Sequence, residues 1–115
     1  MLDLKGLFAA IHEALRVVPN MDINTAHSGV IQEEFSYIGL GDPRVTKMYI
    51  ELYWIENEQR LTIKESLAQH LMCILEELIV PQVTQQNLIC IPRVRIANLG
   101  VLNKDYLISQ RHQLL

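Results

Sequence analysis

The chain has no run of 18 apolar residues and no leader with a basic start, an apolar middle and a small-residue cleavage site. These absences exclude a membrane-spanning helix and a secretory signal, so the expectation is a soluble, cytoplasmic protein with no membrane partner. Cysteine is scarce. Cys73 and Cys90 share no metal-type spacing and are expected as buried thiols in a reducing compartment. No cluster of residues stands at metal-ligand spacing, and there is no glycine-rich phosphate loop and no Ser-His-Asp order. Metal sites and cofactors are therefore not expected. Positive charge is not in excess either: 10 Lys and Arg stand against 13 Asp and Glu, for a net charge of −3, which argues against nucleic acid as the main partner. No low-complexity segment interrupts the chain.

What is present is a core. Half of the 115 residues are hydrophobic, which suits one folded domain spanning 1–115. The organising stretch is Arg44 to Val80. Val45 to Ile55 alternates with period two: Thr46, Met48, Ile50, Leu52 and Trp54 share one face, and Val45, Lys47, Tyr49, Glu51, Tyr53 and Ile55 share the other. β-branched and aromatic residues at that spacing predict a strand. Its second face is half apolar, which is unusual for a surface that meets only water. Glu56 to Gln59 reads as a turn, and Thr62 with Glu65 fits a capping box. Leu67, Leu71, Ile74, Leu75 and Leu78 then recur at helical spacing, with Lys64, Gln69, Glu76 and Glu77 on the wetter side. Pro81 is expected to close this helix.

Before that stretch, Leu4, Leu7, Phe8, Ile11, Leu15 and Val18 predict a first helix, with Asp3 as its cap and an end near Pro19. Thr25 to Ile38 reads as extended, followed by a turn at Gly39–Pro43. Leu88 to Ile96 predicts a further strand, with Ile89, Ile91, Arg93 and Arg95 on one face. Pro92 inside it lacks an amide donor and places the strand at an edge or a bulge. The order helix, strand, strand, helix, strand predicts an α+β fold with two helices on one face of a mixed sheet.

Several pieces, in their order, carry a resemblance: Leu2-Asp3-Leu4-Lys5-Gly6-Leu7-Phe8-Ala9, Ala26-His27-Ser28-Gly29-Val30, Tyr49-Ile50-Glu51-Leu52 running into Gln59-Arg60-Leu61-Thr62, and Leu102-Asn103-Lys104-Asp105. In this order and spacing they resemble the 5-carboxymethyl-2-hydroxymuconate isomerases of the tautomerase superfamily, a match that extends over most of the chain at low identity. The resemblance implies a β-α-β pair, assembly into trimers, and an isomerase that moves a proton between carbons of unsaturated keto acids, as in aromatic catabolism. In that family the base is an N-terminal proline in an apolar pocket, where burial lowers the amine pKa. Arginines there hold substrate carboxylates and stabilise the developing dienolate.

The sequence begins Met1-Leu2-Asp3 where the resemblance places the first helix, and Pro19, Pro43, Pro81 and Pro92 are all internal. The opening strand and its catalytic proline are thus expected to be missing, and no residue here is assigned as catalytic. Arg60 falls near a family arginine, and His27 stands where relatives carry another. These two are the substrate-binding candidates implied for a small carboxylate. Their plainer readings are an exposed loop arginine and a strand-end histidine. Arg93 and Arg95 share a face and are a second anion candidate, or they pair with acidic groups. His12 and His70 are expected to be solvated.

Three functions compete: an isomerase-like member of that family, a non-catalytic oligomeric or interaction protein on the same scaffold, and an unrelated α+β interaction domain. Self-association is expected on physical grounds as well, while the homotrimer is what the resemblance implies. Val45, Tyr49, Tyr53, Ile55, Ile89 and Ile91 would form an apolar face that two helices on the other side cannot cover.

Overall fold

A computed structural model describes residues 2–31 and 38–99. Helix α1 spans Leu4–Ala14 and runs into a 3-10 turn at Leu15–Val17. Asp3 caps it, its carboxylate accepting the Gly6 N–H at 2.9 Å, one of the donors that a helix start leaves unpaired. Strand β1 covers Val45–Trp54, helix α2 Glu58–Leu78, the short helix α3 Val80–Thr84, and strand β2 Ile89–Asn98. A small α+β fold is therefore present.

β1 and β2 pair in parallel, with Val45 opposite Ile89 and Trp54 opposite Asn98. Two strands that run the same way need a crossover, and α2 supplies it. The helices lie on the face bearing Met48, Ile50, Leu52 and Trp54. There Leu7, Ile11, Leu15 and Val18 of the first helical segment meet Leu67, Leu71, Ile74 and Leu75 of α2, with Trp54 and Ile96 beneath them. Leu71 is fully buried. Removing a leucine side chain from water is worth about 1.5–3 kcal/mol, so this double row is what holds the helices to the sheet.

The other sheet face holds Val45, Lys47, Tyr49, Glu51 and Tyr53 beside Ile89, Ile91, Arg93, Arg95 and Ala97. Tyr49, Tyr53, Ile55 and Ile89 each keep about half of their surface exposed (53%, 51%, 51% and 49%). The two-faced strand expected from the sequence is present, and so is the edge placement of Pro92, which sits opposite Met48 with no strand on its other side among the described residues.

Other expectations need correction. The described sheet is wholly parallel, not mixed. The extended segment expected at 25–38 is not a strand over its described part. Ile23–Thr25 is a 3-10 turn capped by Asp22, and residues 26–31 form no regular element; residues 32–37 lie outside the described residues. The Asp22 carboxylate accepts the Asn24 N–H and the Asp22 carbonyl accepts the Thr25 hydroxyl, a local solution that competes with strand pairing. Helix α2 starts one turn before the Thr62–Glu65 box. Asn57 adopts an extended backbone and accepts the Arg60 N–H at 2.8 Å, and asparagine caps at least as well as threonine. Thr62 instead donates back to the Gln59 carbonyl inside the helix. Pro81 does not simply stop the chain's helical course. α2 ends at Leu78, and Pro81 then sits in the first turn of α3, where a missing N–H costs nothing. Cys73 is exposed rather than buried, because it lies off the 67–71–74–75 stripe. Cys90 is half-buried, and both are free thiols. Burial raises the Cys90 thiol above its ordinary pKa.

Candidate functional site

The carboxyl end of β1 projects toward the segment that follows α1. Between them opens a cleft of about 410 Å³ whose lining includes Leu15, Val18, His27, Leu52, Tyr53, Trp54, Ile55, Arg60 and Leu99. The floor is apolar, as the sequence of these positions requires. The ends of parallel strands are where β-α-β units place ligands, because the chain there must leave the sheet and the loops diverge.

Arg60 does not sit in a loop. It is in the first turn of α2, and its guanidinium is already engaged. Nε donates to the Pro19 carbonyl at 3.1 Å, one Nη to the Ile55 carbonyl at 2.8 Å, and the other Nη to the Asn20 carbonyl at 3.2 Å. Five N–H donors are available on an arginine, so two remain for a ligand. The three that are used tie the post-α1 connection to the β1–α2 connection. Asn20 holds a left-handed backbone, φ 58°, and donates from its side chain to Gln59; asparagine tolerates that conformation better than most residues. The clamp is thus built from a turn that the Pro19-Asn20 dipeptide sets up.

His27 is exposed at the cleft, with no hydrogen bond to any described residue. It and Arg60 are 33 positions apart in sequence, and the fold brings both to the same cleft, next to the N-terminal end of α2. That helix end adds partial positive charge from its unpaired N–H groups. Arg93 and Arg95 are not part of this site. They lie on the opposite, uncovered face of the sheet.

Trp54 forms part of the floor and is buried, and its indole N–H finds no acceptor in hydrogen-bonding geometry among the described residues. The nearby Glu56 carboxylate is held below its ordinary pKa chiefly by its 2.5 Å contact with Lys64 and in smaller part by the indole N–H. The influence of the indole on Glu56 is therefore through proximity, and the directed partner of Glu56 is Lys64. A second depression, along the start of α2, is lined by Pro19, Asn20, Glu58, Gln59, Thr62 and Ile63. It is wide and shallow, and its one charged group is a carboxylate, so it offers a carboxylic acid nothing.

His12 corrects the expectation of a solvated side chain. Its Nε2 lies 2.6 Å from the Ser28 hydroxyl, pinning the loop after the 3-10 turn to α1. Period counting placed His12 on α1, but nothing in the spacing signalled a partner sixteen residues away. The position of Arg60 inside α2 was signalled by Asn57 three residues earlier. Among the described residues no group of three or more His, Cys, Asp or Glu could hold a metal ion, and no helix is long and apolar enough to cross a membrane. The chain matches no family model, no curated protein and no solved structure.

Proposed function

We propose that this chain is a tautomerase-type subunit that self-associates and binds small unsaturated keto acids through their carboxylates in the Arg60–His27 cleft. The observation that carries the reading is the convergence of those two side chains on one apolar-floored cleft at the carboxyl ends of parallel strands. The two free N–H donors of Arg60, the helix end and the His27 ring supply positive or donor character. Leu52 and Trp54 supply the dry wall that strengthens such contacts. The uncovered sheet face supports self-association, with a trimer following from the resemblance described above.

A second reading is a non-catalytic oligomer on the same scaffold. It is favoured by the three carbonyl bonds of Arg60, which give that residue a structural task without any ligand. One titration separates the two. A small unsaturated 2-oxo dicarboxylate added to isotope-labelled protein should shift the resonances of Arg60 Nε, His27 and the Trp54 indole together, and His27→Ala should weaken binding without altering the fold. Shifts confined to Arg93 and Arg95, or none at all, would leave the cleft as a purely structural junction.

A further inference from the structure

We propose that the uncovered face of the sheet carries a binding site for a small multivalent oxyanion, which joins copies of the chain where their sheets meet. This rests on the self-association proposed above and names what that association needs.

Lys47 of β1 and Arg93 and Arg95 of β2 all lie on this face, together with Glu51. Lys47 is opposite Ile91, so Arg93 is its diagonal neighbour, at about 8 Å from a strand spacing of about 4.8 Å and a rise of about 3.3 Å per residue. Arg93 and Arg95 are two residues apart on one strand, about 7 Å. Side chains as long as lysine and arginine converge readily over such spans.

None of the three cations has a carboxylate partner among the described residues. The ion pairs among the described residues are Arg16 with Glu13, Arg44 with Asp42 and Lys64 with Glu56. Arg93 uses one N–H on the carbonyl of Pro92, its own neighbour. Glu51 is the only acidic residue among these face positions. It stands opposite Arg95 in the register, yet it accepts the Tyr53 hydroxyl instead. Among the described residues these β1 and β2 positions thus hold three positive charges against one negative, a surplus of two. The whole chain carries −3, so everything outside this face sums to −5. A positive island in an acidic chain calls for an anion.

The apolar part of the same face makes the requirement sharper. Tyr49, Tyr53, Ile55 and Ile89, each about half exposed, favour bringing two such faces together. That contact would also bring together the positive surplus of each copy in a region losing its water, which is costly unless the charge is compensated. A carboxylate with one charge leaves most of the surplus in place. A multivalent oxyanion does not, and two guanidinium groups side by side can each take a pair of its oxygens in a bidentate contact. The ligand class is therefore that of phosphate and pyrophosphate groups.

The test is sedimentation equilibrium of the full chain at micromolar concentration, with and without inorganic pyrophosphate, ionic strength being matched with chloride. An anion bound only by the assembled form raises the association constant by the factor one plus its concentration over its dissociation constant, about a hundredfold at a hundred times that constant. Arg95→Gln, an exposed position, should associate at least as well as the parent without pyrophosphate and gain nothing from it. Equal association with and without pyrophosphate would overturn the anion site while leaving self-association standing. An Arg95→Gln chain that responds as fully as the parent would overturn it as well. A monomer under every condition would remove both the site and the association it rests on.

Discussion

Arg60→Ala removes a guanidinium that ties together the carbonyls of Pro19, Asn20 and Ile55. Each such bond contributes about 0.5–1.5 kcal/mol net of the water it replaces. Two of the three are exposed and one is part-buried, which places the sum toward the low end, about 2 kcal/mol. Against a typical total stability of about 5–15 kcal/mol that is a visible loss. With a urea slope of about 2 kcal/mol per molar, the denaturation midpoint should fall by about 1 M. Arg60→Lys should recover less than half of it, because an ammonium is a point donor that cannot fork across three separate carbonyls. His27→Ala, which breaks no hydrogen bond to a described residue, should stay within about 0.5 kcal/mol of the parent. A midpoint for Arg60→Ala within about 0.2 M of the parent would refute the clamp, and would return all five donors of Arg60 to a ligand.

Two further outcomes follow from the core and from the turn before β1. Leu71→Ala, at a position with no exposed surface, should cost about 2–5 kcal/mol through lost burial and the cavity left behind. A loss below about 1 kcal/mol in the same denaturation assay would mean that α2 does not pack as described. Hydrogen bonds from the Arg44 side chain, and then from its backbone N–H, lower the Asp42 carboxyl from 3.8 to about 2. A lowered folded pKa means that this contribution is present above the unfolded value and is lost as pH falls from about 4 toward 2. A carboxyl titration by NMR should find the low midpoint; Arg44→Ala, which keeps the backbone N–H, should move it upward only part of the way toward the ordinary carboxylate range, and an unmoved midpoint in that variant would count against the side-chain pair.

Much of the fold is readable from period alone. The alternation of Val45–Trp54 and the stripe Leu67–Leu71–Ile74–Leu75–Leu78 specify the strand, the helix and the faces they turn inward, and the structure keeps them except for Leu78, which at the helix end is exposed. The same stripe also implied that Cys73 points outward, since it falls between stripe positions. The general tendency of cysteine to be buried pulled the expectation the wrong way. The misread boundaries share one cause. At Asn57 and Thr62, two adequate caps stand five residues apart. The earlier one wins because Glu58-Gln59-Arg60-Leu61 between them are acceptable helix formers. At Pro81, the rule that proline ends a helix and the rule that proline begins one act on the same residue, and both are obeyed within three residues.

The cleft was legible only in part, for a different reason. Arg60 and His27 could be nominated from sequence, but their meeting depends on the 19–27 connection folding back over the end of β1. That path is set by contacts between residues far apart: Arg60 with Pro19 and Asn20, Asn20 with Gln59, His12 with Ser28. No periodicity encodes such pairs, because each is a single long-range contact in a segment without regular structure. The arrangement nevertheless has a consequence for any ligand. The donors that build the cleft wall are on the same guanidinium as those left to receive a carboxylate. A bound acid would therefore compete with, or complete, the coordination of the group that holds the wall in place. Binding and the stability of the 19–27 connection are coupled through one residue, so a ligand that recruits only the two free donors should stabilise the chain, and one that displaces the carbonyls should loosen it.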